Sequence, residues 1–202
     1  MSESVTYPFK LGEYSRPVTL SRTKVQTWFD RGLAWVYGFN HEEAAYCFRR
    51  AAEIDPGCAM AHWGIALASG PFYNLPWEWL SENEAETMLL TCYDAVQQAL
   101  ERSDDATPVE KALIHALSQR YPANQVISIE ECQQWDNAYA DAMRHVHADF
   151  PEDFDVIALF AEAMMTRTPW KLSLIHISEP TRRYAISDSR WGVKKKGGGG
   201  GG

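Results

Sequence analysis

Between Lys24 and Thr166 apolar positions recur every three to four residues, and no segment alternates apolar and polar residues one by one. That period predicts α-helices over 24–38, 41–54, 58–69, 82–102, 107–120, 129–149 and 154–166, stacked as antiparallel pairs. Their starts are written in local chemistry. Asn40 to Glu43, Ser81 to Glu84 and Thr107 to Glu110 each place a capping side chain three residues before a glutamate. In that arrangement both side chains satisfy backbone N–H groups that the first helical turn leaves unpaired. Pro108 falls at a first helical position, where its missing N–H costs nothing, and Pro56, Pro122 and Pro151 follow segments that must stop. The expected fold class is all-α.

Paired helices raise the question of a repeat, and one is present. Trp28, Gly32, Ala44, Phe48, Ala51 and Pro56 stand at the spacing W-x3-G-x11-A-x3-F-x2-A-x4-P. This resembles the tetratricopeptide pattern, a repeat of roughly 34 residues in which small residues let two helices approach and aromatics fill the gaps. Arg31 departs from it, standing where leucine is usual. A second unit beginning at Ala59 ends near Asp104, which is 14 residues too late, and the segment 69–82 (SGPFYNLPWEWLSE) has that length. It is therefore an insertion between paired helices. A third unit over 107–150 fits the pattern poorly, and 155–165 reads as the first helix of a fourth, cut off before its partner.

The stretches FDRGLAWVYGFNHEEAAYCFRRAAEIDPGCAMAHWGIALASGPFYN, EKALIHALSQRYP and DVIALFAEAMMTRTPW are similar to a family of bacterial tetratricopeptide proteins, over about residues 10–170. The resemblance implies a TPR-like α-solenoid that mediates protein–protein interaction, and implies no activity. The domain expectation is an extended N-terminal segment over 1–23 and a partial repeat array over 24–170.

Residues 171–202 have a different character. LSLIHISEPTR, from Leu172, resembles the in-frame translation of a sequencing-library adapter, and the chain then closes in three lysines and six glycines. We read this tail as non-native, without packed contacts, and exclude it from fold reasoning. Setting it aside changes the charge. Of 19 Lys/Arg and 27 Asp/Glu, residues 172–202 hold six and two, so residues 1–171 carry 13 and 25, a net −12. Such a balance argues against nucleic acid or an anionic membrane as partner and favours a basic or neutral protein or peptide ligand. The N-terminus has no basic stretch leading into an apolar run, and no segment is apolar for about 18 residues. Cys47, Cys58, Cys92 and Cys132 form no CxxC pair and lie in or beside predicted helices. Reduced thiols in a cytoplasmic protein are the expectation.

Three sets of residues are candidates for function. In the tetratricopeptide register the first helix of each pair lines a concave surface. That turns Phe29, Leu33 and Tyr37, then Met60, Trp63 and Leu67, toward a groove for a peptide or helix. One repeat step carries Phe29 onto Trp63, so the groove should hold a continuous aromatic strip. Cover by an adjacent loop or by further repeats is the plainer reading. The insertion carries Phe72, Tyr73, Asn74, Trp77 and Trp79 on a loop. They either tuck over a neighbouring core or form a lid with Asn74 as its polar contact. Finally His41, Cys58 and His62 offer soft ligands. Cys58 and His62 share a helix face at i, i+4, so a divalent transition metal between repeats one and two, serving an enzyme, is the alternative function. Against it, Asn40 and Glu43 already explain the first motif as a cap, and no spacing matches a zinc signature. No cofactor is expected on the leading reading.

Overall fold

In the computed structural model, residues 7–125 and 128–168 are described. The tail singled out above, 171–202, lies outside them. Seven α-helices follow in order: α1 (Lys24–Tyr37), α2 (His41–Ile54), α3 (Ala59–Ser69), α4 (Glu82–Glu101), α5 (Pro108–Ser118), α6 (Ile129–Asp149) and α7 (Phe154–Thr166). A 3₁₀ turn, Trp77–Trp79, interrupts the insertion. Among the described residues there is no strand, and Phe72 and Leu75 form one isolated bridge. The fold is all-α, and none of these helices is long and apolar enough to cross a membrane.

The caps work as their spacing predicts at α4 and α5. Ser81 and Glu84, and Thr107 and Glu110, exchange both bonds of a capping box. At α2, Asn40 accepts from the Glu43 N–H, while the Glu43 carboxylate turns away to accept from the Tyr7 hydroxyl at 2.8 Å. Ser128 and Asp153 cap α6 and α7.

Each helix packs on the next along the chain. Alternate helices also touch, α1 with α3 and α3 with α5. One apolar cluster runs through all seven. Within it Phe48 of α2 is fully buried between α1 and α3 at two glycines, Gly32 and Gly64. A Cβ on either would meet the Phe48 ring, 2.7 Å from Cε1 at Gly32 and 2.5 Å from Cε1 and Cγ at Gly64.

Candidate functional site

Residues 15–22 cross the helix array as a strap, held by side chains that reach its backbone. The Arg16 N–H donates to Asp30 of α1 at 3.0 Å and the Val18 N–H to Gln26 at 3.2 Å, while the Gln26 amide donates back to the Arg16 carbonyl. The Thr19 N–H and hydroxyl both donate to Glu110 at 2.7 Å, and the Ser21 N–H and hydroxyl to Asp55 at 2.8 and 2.6 Å. Cys58, the residue before α3, donates its thiol to the Thr19 carbonyl. At the far side the Arg16 guanidinium bridges Asp153 and Asp155, each at 2.7 Å, and the Tyr14 and Tyr37 hydroxyls also donate to Asp155. Arg16 is buried, and these acceptors come from α1, the α2–α3 turn, α5 and the start of α7. Hydrogen bonds to Arg16 and to the Val156 and Asp155 N–H groups outweigh burial and hold the Asp153 carboxyl below its ordinary range.

A cavity of 170 Å³ lies between α1, α3, the insertion and α7. Leu67, Pro71, Phe72, Leu159 and Met165 give it apolar walls, with Tyr37, His41, Arg120 and Glu162 as polar members. Arg120 is the unusual one. It is 1% exposed, its Nε donates to Asp136 at 2.7 Å, and its guanidinium lies over the Tyr139 ring. Its Nη2 has no hydrogen-bond partner within the protein. Burial opposes the charge, but Asp136 and then the nearby Tyr121 and Glu162 outweigh it, and the guanidinium stays protonated. Burial pushes the carboxyls of Asp136 and Glu162 up, against the pull of Arg120. Glu162 accepts from the Thr166 hydroxyl at 2.8 Å and from the Tyr73 backbone N–H.

His41 opens α2 and stacks flat on Phe72, ring centroids 3.8 Å apart. Burial, reinforced by Arg120 and opposed by a bond to the Ala68 carbonyl, holds it down at about 4. It is therefore neutral in the folded protein at pH 7, whereas an unfolded chain binds the proton near its ordinary 6.5. With the unfolded state holding more protons between those values, stability falls as pH drops through the window. We expect a loss of about 2 kcal/mol between pH 7.5 and pH 5 in urea unfolding that His41→Gln removes. Equal pH slopes in the two proteins would refute this.

The residues singled out from sequence are distributed as follows. Phe29 and Trp63 stand on adjacent helices with ring centroids 6.5 Å apart. Both are buried, as are Leu33, Met60 and Leu67. The expected open aromatic strip is thus corrected to a core element. Large apolar surfaces left to water are unfavourable by about 25 cal/mol per Å², and the chain's own Val18, Leu20 and Leu159 pack into the same cluster. Tyr37 alone of the six is accessible, at 36%, and its hydroxyl is committed to Asp155. In the insertion, Phe72 walls the cavity and Trp77 is buried beside Asp136. Tyr73 is half-buried and Trp79 is 59% exposed. Asn74 sits exposed on the turn closed by the Phe72–Leu75 bridge and does not line the cavity, so it is not that cavity's polar contact.

His41 is not brought to Cys58 and His62. It opens α2, whereas they lie past that helix's end, about 20 Å of helix away. Cys58 is turned to Thr19, and His62 pairs its Nε2 with the Pro56 carbonyl at 3.0 Å. Among the described residues no group of three His, Cys, Asp or Glu side chains is placed to hold a metal ion. All four cysteines are buried and free.

Sequence reasoning missed Arg16, Arg120, Asp136, Asp155 and Glu162. A signal existed for Glu162: it interrupts the otherwise apolar run ALFAEAMM. A scan against protein-family models and searches of curated proteins and of solved structures find no match for the chain.

Proposed function

We propose that the chain is a tetratricopeptide-like helical-repeat scaffold that mediates protein–protein interaction by holding an extended peptide across its array. The observation that carries this reading is how the strap is held. The backbone N–H groups of Arg16, Val18, Thr19 and Ser21 are met by Asp30 and Gln26 of α1, Glu110 of α5 and Asp55 of the α2–α3 turn. Recognition of that kind reads main chain more than side chain and suits an extended segment supplied by another protein. The contact of α3 with both α1 and α5 supports the solenoid stacking that the repeat spacing implies. The carboxylates around the strap, Asp30, Asp55, Glu110, Asp153 and Asp155, favour a peptide carrying arginine over an acidic one.

The strap then occupies the place of such a peptide, at the high effective concentration of a tethered ligand. Thr19→Pro removes the backbone donor and hydroxyl that face Glu110, while Thr107 still caps α5 with that glutamate. A labelled peptide of residues 10–22 should bind the Thr19→Pro chain at least tenfold more tightly than the unaltered chain in fluorescence anisotropy. Far-UV circular dichroism checks that helix content is retained. Absence of saturable binding to either chain refutes the proposal.

A further inference from the structure

We propose that the cavity beneath α7 binds a compact neutral molecule, a benzene-sized apolar body bearing one hydrogen-bond acceptor that Arg120 holds. Size sets the first limit. A dry cavity of about 150 Å³ lined by apolar side chains admits benzene, and this one measures 170 Å³. Its walls include Leu67, Phe72, Leu159 and Met165, so most of the occupant must be apolar.

The polar members set the rest. Arg120 borders the cavity and is 1% exposed, and its Nη2 donates to nothing in the protein. A buried donor left without an acceptor is unfavourable, and an acceptor placed there removes that penalty. Charge then selects among acceptors. Asp136 already neutralises Arg120, and Glu162 adds a second carboxyl beside it. An anionic ligand would bring a third acidic group to one guanidinium in a poorly solvated site, and a cationic ligand would meet that guanidinium directly. A carbonyl or amide oxygen satisfies the donor without adding charge. The Nδ1 of His41 is also buried and unpartnered, and it offers an acceptor to a ligand N–H.

At the rim, Phe39 holds a left-handed backbone (φ 59°) and remains 52% exposed. Such a conformation is disfavoured for a bulky residue and persists where its surroundings enforce it. Here it places an aromatic ring at the entrance.

Benzamide meets each requirement: a benzene ring, a carbonyl oxygen for Arg120, an N–H for His41 and no charge. The test titrates the full chain with benzamide and with benzoate by calorimetry and ligand-observed NMR. Saturable benzamide binding is expected, with benzoate at least tenfold weaker. Ala161→Phe and Ala158→Phe each put a ring on an exposed cavity-lining position of α7. Each should weaken benzamide binding at least tenfold while circular dichroism and the affinity for the strap peptide stay unchanged. That last readout separates failure of the cavity from failure of the scaffold reading. No saturable binding of benzamide overturns the proposal. So does benzoate binding equally well, or benzamide affinity that both variants leave within twofold.

Discussion

Asp136→Leu is expected to lower folding stability by about 3–5 kcal/mol, read as a fall in the urea midpoint at constant slope. The side chain it removes is the one hydrogen-bonded counter-ion of Arg120, 2.7 Å from Nε in a pair whose side chains are 1% and 7% exposed. Without it the guanidinium is left between the rings of Tyr121 and Tyr139 with its Nε unpaired, and the Trp77 indole loses the carboxylate beside it. Both groups are buried, each 1% exposed. Replacing both partners, as Arg120→Met with Asp136→Leu, should recover most of the loss, because an apolar pair of similar volume removes the desolvation penalty together with the attraction. A double variant as unstable as the single one would mean that the loss came from packing and not from an unpaired charge. The double variant should also lose the proposed binding of benzamide, since it removes the donor.

Gly64→Ala carries the second large effect, a destabilisation of about 1–3 kcal/mol from one added methyl group. Alanine normally favours a helix interior over glycine by about 1 kcal/mol, so the sign is opposite to propensity. The reason is Phe48. The new Cβ would lie 2.5 Å from its Cε1 and Cγ, and the ring cannot retreat because α1 closes in at Gly32 on its other side. Phe29, with its ring centroid 5.4 Å away, blocks a sideways escape. Phe48→Leu is the matching control. It leaves a cavity and destabilises by itself, but in its presence Gly64→Ala should become near neutral, giving a coupling energy of about 1 kcal/mol or more. Additive losses would place the strain elsewhere. Gly12→Ala offers a contrast: its φ is 85° and nothing lies within 4 Å of its Cβ site, so any cost there is backbone strain without crowding.

Helix positions were legible in the sequence because they are decided locally. The apolar period, the capping residues Ser81 and Thr107 and the terminating prolines act within one or two turns, and each helix of the structure lies within two residues of its predicted bounds. The Trp28-to-Pro56 spacing likewise implied helices brought close by small residues with aromatics filling the gaps, and Gly32 against Phe48 is one such contact. What those faces meet is a different matter. Whether Phe29 and Trp63 lie open or buried depends on residues far along the chain, the strap before α1 and α7 more than ninety residues after Trp63, and no periodicity reports such contacts. The histidine and cysteine candidates misled for a related reason. Residue types and the i, i+4 pair of Cys58 and His62 were suitable, but the turn between α2 and α3 sends His41 to the opposite end from both. The ion pairs of Arg16 with Asp153 and Asp155, and of Arg120 with Asp136, arise where segments 16 to 139 residues apart are forced together. A charge in sequence looks the same in solvent as in a core. Only tertiary packing, by removing water from Arg120 and leaving one of its donors unpaired beside a cavity, made it the candidate for recognition.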